Sequence, residues 1–142
     1  MSKMSELLIG KEECSLTRRE QLILDPMPML LLFEQLLDET VVYRRAEGVR
    51  KGIESHDPSA LNAFKRYYHG NAAELEDTIE RSWTRCLRIA QRLANKYAIL
   101  GQEITPEALV VGVIQKKPAI RRRIKRLKEQ NNVPSLITLG LA

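Results

Sequence analysis

Apolar residues recur along the chain at spacings of three and four positions, which is the pattern of amphipathic α-helices. Residues that typically begin and end helices interrupt this pattern at several points. The sustained alternation of a strand is absent, and the β-branched run 110–114 is the only local sign of one. The sequence therefore predicts an all-α fold, a bundle of five or six helices joined by short turns.

The pattern of residues in the first part of the chain predicts two helices before residue 57. The capping-box spacing of Thr17 and Glu20 opens a short helix that runs through Leu24. A longer helix begins at about Pro28, and its first two turns are apolar nearly all round, so we expect it to be the most buried element. We expect this helix to stop or bend near Gly48.

Residues that typically begin or end helices divide the rest of the chain into four further predicted helices. Asp57, Asn71 and Thr105 stand at N-cap positions, and Pro118 forces a break before the last helix. Gly70 is placed to close the first of the four in a left-handed conformation. The predicted helices cover residues 58–68, 72–100, 106–115 and 119–130, and we expect the second to be the longest uninterrupted helix in the chain.

Length and composition indicate an ordinary globular protein. With 142 residues, of which 44% are hydrophobic and 29% charged, the chain fits a single helical domain over residues 1–142. The densest apolar run, residues 27–33, meets charge at Glu34 and is too short to span a membrane. Because the N-terminus also lacks the pattern of a secretory signal, we expect a cytoplasmic protein without membrane contact.

Side chains suited to catalysis or metal binding are sparse. Cys14 and Cys86 lie in helical sequence without CxxC spacing, which predicts reduced structural thiols. His56 and His69 stand near helix ends, and no carboxylate cluster has metal-ligand spacing. Glycine-rich phosphate loops and nucleophile-elbow patterns are also missing. We therefore expect no metal, no cofactor and no enzymatic activity.

Charge is divided unevenly between the two parts of the chain. Residues 1–57 contain eight Lys/Arg and eleven Asp/Glu, whereas residues 58–142 contain fifteen and seven. An acidic helical half with a net charge of −3 therefore precedes a basic helical half of +8. Such asymmetry indicates a polyanionic partner or an acidic protein surface.

Five basic residues of the predicted helix 72–100 are spaced four, three, four and four positions apart. At 100° per residue they lie within an arc of about 80°, in a stripe roughly 22 Å long. A solvated helix face usually interleaves opposite charges at i,i+4, but here no acid follows until Glu103. We predict that this arginine row contacts successive phosphates of a nucleic acid. It consists of Arg81, Arg85, Arg88, Arg92 and Lys96.

A second basic segment covers most of the circumference of the last predicted helix. Arginine outnumbers lysine in both basic segments, which suits bidentate contacts to phosphate. A helix lying on a membrane surface would need a wider apolar face. We predict that this C-terminal basic cluster also binds nucleic acid. Its members are Lys116, Lys117, Arg121, Arg122, Arg123, Lys125 and Arg126.

In its length, helical pattern and arginine rows on C-terminal helices, the chain resembles the small subunits of CRISPR effector complexes of the Cascade type. The resemblance rests on size and charge layout rather than on a motif, so no individual residue is carried over from it. It implies a non-catalytic subunit, present in several copies, that holds the guide–target hybrid or the displaced strand by its backbone. The acidic half would then face a basic surface of a neighbouring subunit or copy.

Two other function classes fit parts of the sequence. Residues 105–115 and 119–130 have the lengths of a helix-turn-helix, the motif of sequence-specific DNA-binding regulators, although Asn and Gln occur only at the end of the second helix. An adaptor that binds proteins through its acidic half would leave the arginine row without a role. Tyr67 and Tyr68 are candidates for stacking on unpaired bases, or one belongs to the core and the other to the surface.

Overall fold

The computed structural model describes residues 25–142, which form five α-helices and no strand. The predicted all-α class is thereby confirmed. The predicted short helix between Thr17 and Leu24 lies outside the described residues, as does Cys14. The five helices are α1 (Pro26–Glu54), α2 (Pro58–Tyr68), α3 (Ala72–Ile99), α4 (Pro106–Gln115) and α5 (Lys117–Gln130).

Side-chain caps begin the first four helices where the sequence places capping residues. Asp25 accepts a hydrogen bond from the Met27 backbone N–H at 3.1 Å, so α1 begins two residues earlier than predicted. Asp57, Asn71 and Thr105 cap α2, α3 and α4 in the same way. These caps satisfy backbone donors that have no partner within the helix.

Helix α1 does not stop at Gly48, one of the two expected outcomes, but continues to Glu54. With 29 residues it is one residue longer than α3, so the prediction that α3 would be the longest helix is also wrong. Buried Ala46 and Val49 lie on either side of Gly48, and their packing holds the helix together. Packing of this kind outweighs the weak helix propensity of a single glycine.

The turn after α2 has a residue other than the predicted glycine in its capping position. His69 takes the left-handed conformation at the helix end, with φ 56°, and Gly70 follows it with φ 62°. The Gly70 backbone N–H donates to the Phe64 carbonyl at 3.1 Å and closes the last turn. Glycine therefore contributes to this helix end, but the capping position itself belongs to His69.

The first half of α1 lies at the centre of the bundle, as its apolar first turns predict. Helix α1 packs against each of the other four helices. Ion pairs Arg50–Glu76 and Arg85–Glu39 show that α3 runs antiparallel to α1 along one side. The buried residues of this half of α1 are Met29, Leu30, Leu32, Phe33, Leu36 and Leu37.

The segment after α5 contributes further residues to the core. Leu136 and Leu139 are buried in the same apolar cluster as the first half of α1. The buried Tyr97 hydroxyl donates a hydrogen bond to the Pro134 carbonyl, which ties this segment to α3. The arrangement fixes α3 and α5 on opposite sides of α1, and this placement positions the basic residues.

Candidate nucleic-acid interface

Basic residues of α3 and α5 border an exposed strip of α1. Ion pairs connect Arg85 of α3 to Glu39, and Arg121 of α5 to Asp38, at 3.5 and 3.9 Å. On the α5 side, Lys128 also pairs with Glu34 at 3.2 Å. Helix α1 therefore separates two basic edges, and its outward strip between them consists of Leu31, Gln35, Asp38 and Val42.

The arginine row lies along α3 as the periodicity predicts, because buried Cys86, Ala90 and Leu93 occupy the opposite side of the helix. Arg81 pairs with Asp77 at 2.9 Å, and Arg85 pairs with Glu39. Exposed Arg88 and Arg92 and half-buried Lys96 make no ion pair with any residue of the described part of the chain. Two arginines one turn apart are therefore available to a ligand without breaking an existing contact.

The C-terminal basic cluster is distributed around α5 and not gathered on one side. Lys116 donates to the Gly140 carbonyl, and the half-buried Arg123 guanidinium lies against the same glycine. Exposed Arg122 and Lys125 form no ion pair within residues 25–142. Arg126, on the same helix, is also exposed. Lys125 and Arg121, one turn apart, extend the edge of α5 that borders α1.

Lys117 differs from the other predicted contact residues because it is half-buried. Burial lowers the pKa of its ammonium group, and the nearby positive charges of Arg121 and Arg44 lower it further. The neighbouring Cys86 is a buried free thiol, and burial raises the pKa of this thiol to about 12. Cys86 therefore stays protonated at neutral pH, which agrees with the predicted structural role.

Acidic residues of α1 neutralise part of both basic edges, which the sequence had not indicated. Glu34, Asp38 and Glu39 each pair with a basic residue of α3 or α5. The Arg121–Asp38 and Lys128–Glu34 pairs are exposed on both sides and contribute about 0.2–1 kcal/mol each, so a phosphate can replace these two carboxylates at little cost. The three carboxylates are thus competitors for the same cations that a nucleic acid would contact.

We expect the triple variant Glu34→Gln, Asp38→Asn, Glu39→Gln to bind a single-stranded oligonucleotide several-fold more tightly than the unmodified protein at low salt. Removing three negative charges frees Arg85, Arg121 and Lys128 and raises the local potential. Fluorescence anisotropy measures the change. The control variant Glu54→Gln, Glu76→Gln, Glu107→Gln has the same net charge and frees only Arg50, which lies outside the two basic edges. Equal tightening by both variants would show that only total charge matters.

The two adjacent tyrosines occupy different environments. Tyr68 is buried in a second apolar cluster with Val49, Leu75 and Ile79, whereas Tyr67 is 59% exposed. The Arg66 guanidinium lies 5.5 Å from the centroid of the Tyr67 ring. One tyrosine therefore belongs to the core and the other to the surface, and only Tyr67 has a ring available for stacking.

Comparisons of the chain with known protein families, with curated proteins and with solved structures gave no match. Among residues 25–142, no helix is long and apolar enough to cross a membrane. The same part of the chain contains no group of three or more side chains that could hold a metal ion. The candidate site is therefore a set of positively charged side chains on an all-helical fold.

Proposed function

We propose that this protein binds the phosphate backbone of a nucleic acid, largely without regard to sequence, and catalyses no reaction on it. The observation that supports the proposal is the pair of basic edges beside α1, in which Arg88, Arg92 and Lys125 have no ion-pair partner within residues 25–142. An unpaired arginine gains more from a phosphate than one that already has a carboxylate, because nothing has to be displaced.

The spacing of the arginine row also favours a phosphate ligand. Residues three or four positions apart rise about 4.5–6 Å along a helix axis, so the row presents one cation per turn to a strand that follows α3. Guanidinium groups donate two parallel hydrogen bonds to phosphate oxygens. Contacts of this kind read the backbone and not the base sequence.

The connection between α4 and α5 argues against a sequence-specific regulator of the helix-turn-helix class. A helix-turn-helix joins its helices by a turn of about three or four residues, whereas Lys116 alone separates Gln115 from Lys117. In addition, Lys117 is half-buried and Arg121 is paired with Asp38. The first turns of α5, which would enter the major groove of DNA, are therefore partly engaged within the protein.

The proposal includes assembly into a larger ribonucleoprotein. A single small helical subunit offers few phosphate contacts by itself, so several copies along one strand would bind better than one. The resemblance to Cascade-type small subunits suggests such an arrangement, with other subunits and further copies of this chain as neighbours. We therefore propose that the working form binds in the cytoplasm as one subunit among several.

Fluorescence anisotropy with labelled single-stranded and double-stranded oligonucleotides of unrelated sequence tests the proposal. We expect binding at low salt that weakens steeply as salt is added, because released counterions drive the association. The logarithm of the binding constant should fall with the logarithm of salt by about 0.7 for each phosphate neutralised on a single strand. Oligonucleotides of different sequence but equal length should give similar slopes.

Two other outcomes would contradict the proposed function and favour a different one. Absence of binding to every oligonucleotide at low salt would refute nucleic-acid binding and leave a protein partner for the basic edges. Tight binding to only one duplex sequence would support the helix-turn-helix regulator.

A further inference from the structure

Three positively charged side chains converge where α5 begins. Helix α5 runs antiparallel to α1, as its two ion pairs with that helix show, so Lys117 lies beside the later turns of α1. Arg44 is exposed on these turns, and Arg121 follows Lys117 by one turn of α5. Burial lowers the pKa of Lys117 most, and the positive charges of Arg121 and Arg44 lower it further, which places the three groups close together. We refer to Arg44, Lys117 and Arg121 as the three-cation cluster.

The Lys117 ammonium lacks a counter-ion in the described part of the chain. It is half-buried and makes no ion pair with any of residues 25–142, and the exposed Arg44 guanidinium makes none with them either. A charge that is withdrawn from water costs free energy unless an opposite charge comes with it. This arrangement indicates that a negatively charged ligand completes the cluster.

The carboxylate of Asp38 offsets only part of this charge. It lies 3.9 Å from the Arg121 guanidinium and also acts on Lys117, and its side chain is 79% exposed. Three cations and one carboxylate leave a local net charge of +2. A phosphodiester inside a strand carries a single negative charge, whereas a phosphate monoester at a strand end carries about 1.5–2 at pH 7 and adds strong acceptor oxygens. The cluster therefore matches a terminal phosphate better than an internal one.

The cluster also lies at one end of a basic edge. Arg121 and Lys125 are one turn apart on the side of α5 that borders α1, and Lys117 is one turn before them. Among the described residues, no side chain caps the N-terminus of α5, and its first turn contains no acidic residue, so the positive end of the helix dipole adds to the potential of the cations. A strand whose backbone follows this edge therefore has its terminus within reach of the cluster.

We propose that the three-cation cluster binds the phosphate monoester at the end of a nucleic-acid strand whose backbone the basic edge of α5 holds. The guanidinium groups of Arg44 and Arg121 donate hydrogen bonds to the phosphate oxygens, and the Lys117 ammonium contributes a further donor. The inference rests on the proposed function and adds to it a preference for phosphorylated strand ends.

Single-stranded oligonucleotides of one sequence, labelled at an internal base, test the inference by fluorescence anisotropy at pH 8, where the monoester carries its second charge. One strand has a 5′-phosphate, one a 3′-phosphate and one no terminal phosphate. A fourth strand without a terminal phosphate is two nucleotides longer, so it matches the added charge with backbone phosphates. We expect at least one phosphorylated strand to bind roughly tenfold more tightly than either unphosphorylated strand, the effect of about one charge-assisted hydrogen bond.

Two adjacent arginines of α1 provide the variant and its matched control. Arg44→Gln removes one charge from the cluster, whereas Arg45→Gln removes the same charge from a neighbouring exposed position that lies near Tyr68 of α2. We expect Arg44→Gln to lose the preference for the phosphorylated strand and to bind the unphosphorylated strands nearly as before. Arg45→Gln should keep the preference.

A third variant tests the half-buried ammonium directly. Lys117→Met should also lose the preference, and it should not lower the urea midpoint of unfolding, since it removes a charge that has no ion pair within residues 25–142. A variant that retains the preference, or that unfolds at lower urea concentration, would contradict the role of Lys117 in the cluster.

The possible results separate the strand end from the backbone contact. Equal affinity for phosphorylated and unphosphorylated strands, or a preference that survives Arg44→Gln or disappears in Arg45→Gln, would overturn the terminal-phosphate site and leave backbone binding intact. Failure of every strand to bind at low salt would overturn the proposed function together with this inference.

Discussion

Replacing Arg88, Arg92 and Lys125 together with glutamate is expected to abolish binding to single-stranded oligonucleotides and to leave the fold intact. All three side chains are exposed and form no ion pair with the described residues, so the core loses no contact. At the surface, three attractive contacts to phosphate become three repulsive ones. We expect an affinity loss of at least about 100-fold at low salt, measured by anisotropy, with an unchanged circular dichroism spectrum. Arg85 is retained because its reversal would place a second carboxylate beside Glu39.

A matched control separates the site from the total charge. The variant Arg45→Glu, Lys65→Glu, Arg66→Glu removes the same number of positive charges from exposed positions on α1 and α2 that form no ion pair with the described residues. We expect it to reduce affinity only modestly, through the weaker overall field. If the control loses as much affinity as the Arg88, Arg92, Lys125 variant, the basic edges are not the binding site.

The second large effect concerns the contact between α1 and α2. A Cβ atom at position 52 would lie 2.3 Å from the Ala60 Cβ, far inside van der Waals contact. We expect Gly52→Ala to lower the free energy of unfolding by about 1–3 kcal/mol, because the two helices must move apart. Urea denaturation followed by circular dichroism measures the loss.

The same substitution one turn earlier provides the comparison. A Cβ at Gly48 would meet nothing within 4 Å, and the position lies inside a continuous helix. Gly48→Ala should therefore raise the free energy of unfolding by about 0.5–1 kcal/mol, since alanine loses less backbone entropy. Two alanine variants with shifts of the same sign would contradict the close packing of α1 on α2.

Local signals predicted most of the helices, and tertiary packing decided the rest. Asp57, Asn71 and Thr105 cap helices within a few residues of themselves, so neighbouring sequence contains the information. Whether Gly48 ends a helix depends instead on distant residues. The packing of Ala46 and Val49 with Tyr68 and Leu75 keeps α1 continuous, and this contact spans α1, α2 and α3.

Part of the site was also predictable from the sequence, because some of its residues are close together along the chain. The arginine row follows from spacing on one helix, which the sequence shows directly. The partial neutralisation of the two basic edges does not follow from spacing, because Arg85 pairs with Glu39 across 46 positions and Lys128 with Glu34 across 94.

During translation, the central helix emerges well before the residues that cover it. Phe33 and its neighbours share their cluster with residues of α5 and with Leu139, roughly one hundred positions later in the chain. At about 5 to 20 residues per second, roughly 5 to 20 s pass between their synthesis. For that interval the apolar turns of α1 lack part of their native cover, which exposes apolar surface of the nascent chain to chaperones. Aggregation is therefore a hazard of synthesis more than of the finished protein.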